Sequence, residues 1–547
     1  MNILIWLGVA AVTMVCTIYN LIFPITASFH LVVVILLSLW LVLDRKFFWN
    51  IIYHGGMFCS LTESACSKRI NWARRNFIQI VTMVLIISLV SLYASCFSTG
   101  YETAYDTDLY HAQSVQWAKK YAAVPGVGNI HLRLAFNNAS FLTAAFFDVF
   151  GLKNKIYHVL NSFLFITTVS MLFFRLVNLL RGEFSLTNTF STVLLYYLLQ
   201  YTRTVNSLSP DVTVTLLTIS LAVLFLDILG KKKIDILPYG FLLICFGITV
   251  KLTMVPFLVL PILTGFYLLI NNDRQGKAAF KAGAKIGVLL QYAVPCCLII
   301  VPWIIRGIIL SGYILWAFPA VDLLHVDWKI PKSYVTNELA WVRSWAWAPG
   351  TSPQKFAAKN HWFWFLHWVK VHRQLLHTMG FLAAVNIILS VFFRSRYLKI
   401  IQGIWPFCLF LILGLLFWFV NAPDIRFAAG YLFCAKSLLL ALPLSLCRGS
   451  FQKNLQFSVA VVVLFVSIHL MIRHLPKIRQ LTQPLPAYRK FPTTKYVLPS
   501  GLRVNLTVAP DDRCGNAEIP CMPFLYKKFD VAMRGNDLQK GFRRIHH

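Results

Sequence analysis

Asp106 and Asp108 are the residues of this chain whose type and spacing most invite chemistry. They open the stretch Tyr105 to Asn138, a polar interval that follows an apolar segment long enough to cross a bilayer. An Asp-x-Asp pattern can hold a divalent ion through oxygen ligands, and His111 follows three residues after Asp108. The plainer account is helix capping, because carboxylates favour the positive end of a helix dipole. Capping explains one aspartate well and a pair less well. A helical pattern puts Tyr110, Ser114, Trp117 and Tyr121 on one stripe and Lys119 and Lys120 on another. Such a helix suits the membrane surface, aromatic side down and lysines up.

Cations stand farther along the chain. Lys251 lies alone among apolar neighbours between Gly247 and Thr253, placed either to snorkel to headgroups or to bind an anion. Arg426 follows Pro423 and Asp424 between two apolar runs; it can pair locally with Asp424 or take a lipid-linked phosphate. Arg306 interrupts another apolar run. The chain has no HExxH, Walker loop, GxSxG or Gly-rich dinucleotide fingerprint, so hydrolytic triads and nucleotide-driven pumping fit poorly.

The elements that must position these groups are membrane helices. Residues are 58% hydrophobic and only 13% charged, which with repeated long apolar runs excludes an ordinary soluble domain. A net charge of +31 would suit nucleic acid, but the lysines and arginines are scattered through short loops rather than gathered in one basic domain. No nucleic acid partner is expected; the charges report orientation in the lipid bilayer instead. Basic loops around Arg45, Lys46 and Arg75, at Lys231 to Lys233, and from Arg274 to Lys285 are placed in the cytoplasm, with the N-terminus. About 13 spans follow, which leaves the C-terminus outside.

The expected architecture is an all-α polytopic membrane protein. Residues 1–75 hold two helices and a basic cytoplasmic loop. Residues 76–473 form the core, with outer loops 98–140 and 311–372 and a short segment, Phe141 to Phe150, that is re-entrant or surface-lying. Residues 474–547 make a small extracytoplasmic tail domain, in which Cys514 and Cys521 can form a disulfide. In this topology Asp106, Asp108, Arg133, Asn137, Asp211, Lys251, Arg306, Asp322, Asp327, Arg343, Asp424 and Arg426 all fall in outer loops or outer helix ends. The second outer loop is dense in tryptophan, fit to anchor at the interface or to line a carbohydrate cleft.

This plan resembles the C-type (GT-C fold) membrane glycosyltransferase superfamily, which includes protein mannosyltransferases, the lipid A aminoarabinose transferase and oligosaccharyltransferases. In the transferases an Asp-Glu-x-x-Tyr pattern opens a juxtamembrane helix in the first large outer loop. Asp106-Thr107-Asp108-Leu109-Tyr110 has the same Asp-to-Tyr spacing, with Thr107 in the second acid's place and Asp108 one residue later. The Asp424-Ile425-Arg426-Phe427 turn is similar to an acidic-x-Arg-Phe motif near a late outer loop. The chain also resembles a bacterial group of multi-span proteins carrying YDTDLYH, VPGxGN, RLAFN, APDxRF and a closing Cys pair.

The resemblance implies a bacterial inner-membrane enzyme that moves a sugar from a polyprenyl-phosphate donor to a hydroxyl of a glycan, lipid or protein acceptor. Asp106 would be the general base, with the assignment open between it and Asp108, and the anomeric centre would invert. Lys251, Arg306 and Arg426 would bind the donor phosphate; Tyr110, His111, Arg133, Asn137 and Asp424 would line the substrate site. No cofactor is required, although a divalent metal is possible at Asp106 and Asp108. The competing expectations are a flippase or transporter for lipid-linked saccharides, an O-antigen ligase or polymerase, and a scaffold subunit of the envelope.

Overall fold

A computed structural model describes residues 2–43, 66–102, 104–148, 152, 154–232, 236–273, 282–446, 449–527 and 530–545. Arg45, Lys46, Lys233, Arg274, Lys277 and Lys281, read above as cytoplasmic markers, lie outside the described residues. In chain order the first helices are α1 (Asn2–Asn20), α2 (Ala27–Leu43), α3 (Cys66–Ser98), α4 (Ala112–Lys120), α5 (Ser140–Phe147) and α6 (Leu160–Leu180). Next come α7 (Leu186–Gln200), α8 (Pro210–Lys231), α9 (Leu237–Val250), α10 (Val259–Asp273), α11 (Ala282–Ser311) and α12 (Lys332–Trp347). The last are α13 (Pro353–Ala357), α14 (His361–Val371), α15 (Arg373–Phe392), α16 (Arg394–Asn421), α17 (Ala429–Leu446) and α18 (Gly449–His474).

Among the described residues nine helices are long and apolar enough to cross a membrane: α1, α3, α6, α8, α11 and α15 to α18. Four further helices, α2, α7, α9 and α10, have 17, 15, 14 and 15 residues. The chain is thus an all-helical membrane protein apart from its tail. At the centre stands α8, apolar on every face, and a helix of that kind must be surrounded. In its apolar window 89% of residues are buried, against 11% for α15 at the periphery. Packed around α8 are α6, α9, α16 and α17. α1 reaches the same core through Trp6, whose indole Nε1 donates to Ser220 Oγ on α8 at 2.9 Å.

The α9–α10 break falls at the lone lysine. Helix α9 stops at Val250, Lys251 is extended, and a 3-10 turn over Leu252–Leu258 precedes α10. Pro256 in that turn has no N–H to give to an α-helical ladder. Helix α5 corrects an expectation. Ser140 to Phe146 are all buried and pack on α1 and α4, so the short segment is enclosed by protein rather than laid on a surface.

The tail is a three-stranded sheet, β1 (Thr493–Val497) antiparallel to β2 (Arg503–Thr507) and β2 parallel to β3 (Cys521–Met522), beside an antiparallel pair, β4 (Val531–Met533) and β5 (Phe542–Arg544). Cys514 and Cys521 are disulfide-bonded. The tail does not stand apart as a domain of its own. Val504, Leu506, Met522 and Phe542 share one apolar cluster with Trp117, Val127, Ile130 and Leu134 of the first loop. Trp117 is buried and meets Phe542 edge-on at 5.9 Å. Gln113 Nε2 donates to the carbonyls of Gly515 and Ala517 at 3.0 and 2.9 Å. The aromatic stripe of α4 therefore packs on the tail and not on lipid.

Two glycines let the backbones close. At Gly126 (φ 65°) a Cβ would lie 2.2 Å from Phe542 O, and at Gly541 (φ 91°) one would lie 2.1 Å from Pro125 O. Phe542 N meanwhile donates to Pro125 O at 2.9 Å. Gly126→Ala combines a left-handed backbone with that clash, and should loosen the tail by about 2–4 kcal/mol. Limited proteolysis should release the tail from this variant at lower protease; unchanged release would mean the contact carries no stability.

Candidate active site

One end of the bundle, the end that carries the tail, brings together Asp106, Arg133, Lys251, Asp424 and Arg426. After α3 the chain passes through a π-helical turn, Thr107–His111, into α4. Such wide turns are frequent at functional sites. Asp106 stands in the capping position but its side chain makes no capping hydrogen bond, so the plain capping account fails there. Its carboxylate is used otherwise. Oδ1 accepts from Arg133 Nη1 at 3.1 Å and Oδ2 from Arg426 Nη1 at 3.4 Å.

Each arginine serves a second acid. Arg133 Nε lies 3.4 Å from Glu338 Oε1 on α12, and Arg426 Nε donates to Asp424 Oδ2 at 3.0 Å. Lys251, brought to this end by the break after α9, forms an ion pair with Asp211 at the start of α8. The Phe427 ring joins the two halves, with Lys251 Nζ at 3.8 Å and the Arg426 guanidinium carbon at 4.8 Å from its centroid. Asp106, Arg133, Lys251, Asp424 and Arg426 thus form one network across some 320 residues of sequence.

Tryptophans hold the Asp424 turn in place. Trp368 Nε1 of α14 donates to Pro423 O at 2.7 Å and Trp418 Nε1 of α16 donates to Asp424 O at 2.7 Å. Asp424 Oδ1 accepts from Arg426 N at 3.0 Å, which tightens the turn further. Part of the tryptophan-rich loop is therefore structural, while Trp345 and Trp362 stay exposed.

Burial works to raise the Asp106 carboxyl pKa, but Arg133 and Arg426, with His111 and Lys251, outweigh it and hold the group below its usual value. Asp106 is ionised near neutral pH. Burial lowers His111 to about 4 and His131 to about 3, so both imidazoles are neutral there. Burial dominates at Glu338 and raises it despite Arg133.

Asp108 turns elsewhere. It faces the tail arginines Arg489 and Arg513, its backbone carbonyl accepts from Gly515 N at 2.7 Å, and burial raises its carboxyl to about 6. The nearby carboxyl of Glu102 is raised to about 9, mainly by burial and then by Asp108. The two aspartates do not share one set of partners, which separates Asp106 from Asp108 as candidate base. Among the described residues no group of three or more His, Cys, Asp or Glu is arranged to hold a metal ion.

Glu102 makes a prediction about pH. Its folded pKa is raised, so its stabilising contribution is complete below the ordinary 4.5 and is lost as pH rises through about 9. The midpoint for thermal unfolding of the wild type should fall across that window, and Glu102→Gln should flatten the fall. An equal slope in the variant would place the titration on another group.

Arg306 does not join the network. It is buried, donates from Nη1 to Asn137 Oδ1 at 2.7 Å and from Nε to Asn20 Oδ1 at 3.2 Å, and has no carboxylate partner among the described residues. Asn137 is held by Arg306 and by Trp303 O. Tyr110 lies beside the network, 6.0 Å from the Arg133 guanidinium, and His111 Nδ1 lies 3.2 Å from Thr107 Oγ1. Asp322 pairs with Lys329, Asp327 with Arg534, and Arg343 is exposed on α12.

Two participants were missed as site residues. Asp211 carried a signal, an acid beside a proline at a helix start, and was placed only among the polar residues of the outer side. Glu338 carried none, since a single glutamate in an amphipathic loop helix reads as a solvated charge.

A family model described as "Domain of unknown function (DUF8201)" matches residues 1–433. No curated protein and no solved structure matches the chain.

Proposed function

The chain belongs to the DUF8201 family, and we propose that it is a GT-C-type membrane glycosyltransferase using a polyprenyl-phosphate sugar donor on the extracytoplasmic face. The observation that carries this reading is the meeting of Asp106 with Arg133 and Arg426 beside Lys251 at one end of the helix bundle. A base and several cations in one partly exposed place are what sugar transfer from a phosphate requires. Some 13 spans, an N-terminus in the cytoplasm and a tail in the periplasm are the topology that goes with it.

In the proposed reaction an acceptor hydroxyl gives its proton to Asp106 as its oxygen attacks the anomeric carbon. The bond from that carbon to the phosphate oxygen breaks, and polyprenyl phosphate leaves with the electron pair. Negative charge develops on the leaving group, so cations must face it. Arg426 and Lys251 supply them. The Arg426 side chain is 50% exposed, free enough to leave Asp106 for a phosphate. Donor binding would then release the base from one of its two guanidinium partners at the moment it is needed. Arg306, charged and without an acid partner among the described residues, is a further candidate for the phosphate or the lipid-proximal oxygen.

The test is transfer against transport. Membranes carrying the full chain are supplied with a radiolabelled polyprenyl-phosphate sugar, and the label is followed from the organic-solvent fraction to water-soluble or protein-bound products. Transfer dependent on the chain supports the enzyme. Label that crosses the bilayer still attached to its lipid supports the flippase and ends the proposal.

A further inference from the structure

Between the second loop and the tail lies an open pocket of about 630 Å³. Its charged lining is Asp322, Asp327, Lys329, Lys332, Arg543 and Arg544. Both acids are already engaged, Asp322 by Lys329 and Asp327 by Arg534 from outside the pocket, the latter at 2.6 Å. Arg544 lies over the Tyr334 ring at 3.7 Å. Lys332 and Arg543 are exposed and have no ion pair within 4 Å among the described residues. The lining, two acids and four bases, therefore carries a net positive charge. Exposed Ile545 gives the lining an apolar edge. The loop that forms it begins directly after α11, at Tyr313.

We propose that this pocket binds a phosphate-bearing anion, held by Lys332 and Arg543 with Lys329 behind them. A guanidinium grips a phosphate through two parallel hydrogen bonds while an ammonium acts as a point charge, so the pair suits a tetrahedral dianion or a headgroup phosphodiester. The apolar edge and the start of the loop at a helix end favour a headgroup reaching in from the bilayer surface; a soluble phosphorylated glycan offers the same chemistry. None of the lining residues belongs to the Asp106 network, and the site does not rest on the glycosyltransferase reading.

The full chain is placed in nanodiscs of phosphatidylcholine alone or with phosphatidic acid, and pyrophosphate serves as the soluble probe. The wild type should bind pyrophosphate in neutral nanodiscs and should retain phosphatidic acid preferentially after extraction in detergent. Lys332→Ala with Arg543→Ala should weaken the dominant binding about tenfold, and 0.5 M salt should weaken it as well because both cations are exposed. Arg343→Ala, which removes an exposed charge outside the lining, should leave it unchanged. Lipid retention without pyrophosphate binding identifies the headgroup as the source, and the reverse identifies the soluble ligand. Either supports the site. No binding of either probe, or binding lost in Arg343→Ala and kept in the double variant, overturns it. Both substituted side chains are exposed, and an unchanged thermal midpoint confirms that the fold is kept.

Discussion

Asp106→Asn is expected to lower sugar transfer by about 100- to 10,000-fold, the usual contribution of a positioned general base. Protein yield and thermal midpoint should stay near those of the wild type. Asparagine keeps the size of the side chain and one carbonyl oxygen for Arg133 Nη1, while it loses the charge and the ability to take a proton. The arginines are not stranded by the change, since Arg133 retains Glu338 and Arg426 retains Asp424. Asp108→Asn is the matched control. Asp108 faces Arg489 and Arg513 of the tail, so its loss should touch tail stability and leave transfer within a fewfold of wild type. Full transfer by the Asp106 variant in the radiolabel assay would remove the base assignment outright. Loss in the Asp108 variant alone would move it by two residues.

The membrane helices were legible because lipid imposes one rule, that apolar length must cover the bilayer and the backbone must satisfy itself. The break at Lys251 was legible for the same reason, since a lysine and then a proline cannot sit in the middle of an apolar helix without a task or a bend. The Cys514–Cys521 bond followed from two cysteines in a polar stretch. What sequence spacing could not supply was the partnering across hundreds of residues. The stripe Tyr110, Ser114, Trp117, Tyr121 is the same pattern whether lipid or protein covers it, and here the tail does, through Phe542 and the Gly126–Gly541 approach. Tail and first loop therefore share a core that a division at residue 474 would cut. Asp106 and Asp108 looked like a pair because they are two residues apart. The helical turn sends them to opposite sides, and the partner acid beside Arg133 is Glu338, more than 200 residues on.

Arg426→Ala should reduce kcat/KM for the lipid-linked donor by about 100- to 1,000-fold, as removal of one donor to a developing oxyanion does elsewhere. The half-exposed guanidinium leaves no buried charge behind, so the fold should persist. Arg426→Lys should recover part of the loss, because it restores a charge without the planar fork. The pH dependence separates this role from a structural one. Arg426 is one of the two arginines that hold the Asp106 carboxyl below its usual value, so its removal lets that pKa rise. In the proposed reaction the ionised carboxylate is the active form, so the rate should fall as pH drops through its pKa. The acid limb of the kcat/KM profile should therefore move to higher pH in Arg426→Ala and move back in Arg426→Lys. An acid limb at the same pH in all three proteins would show that Arg426 and Asp106 do not act together. A large loss with that unchanged limb would reduce Arg426 to holding its own turn through Asp424.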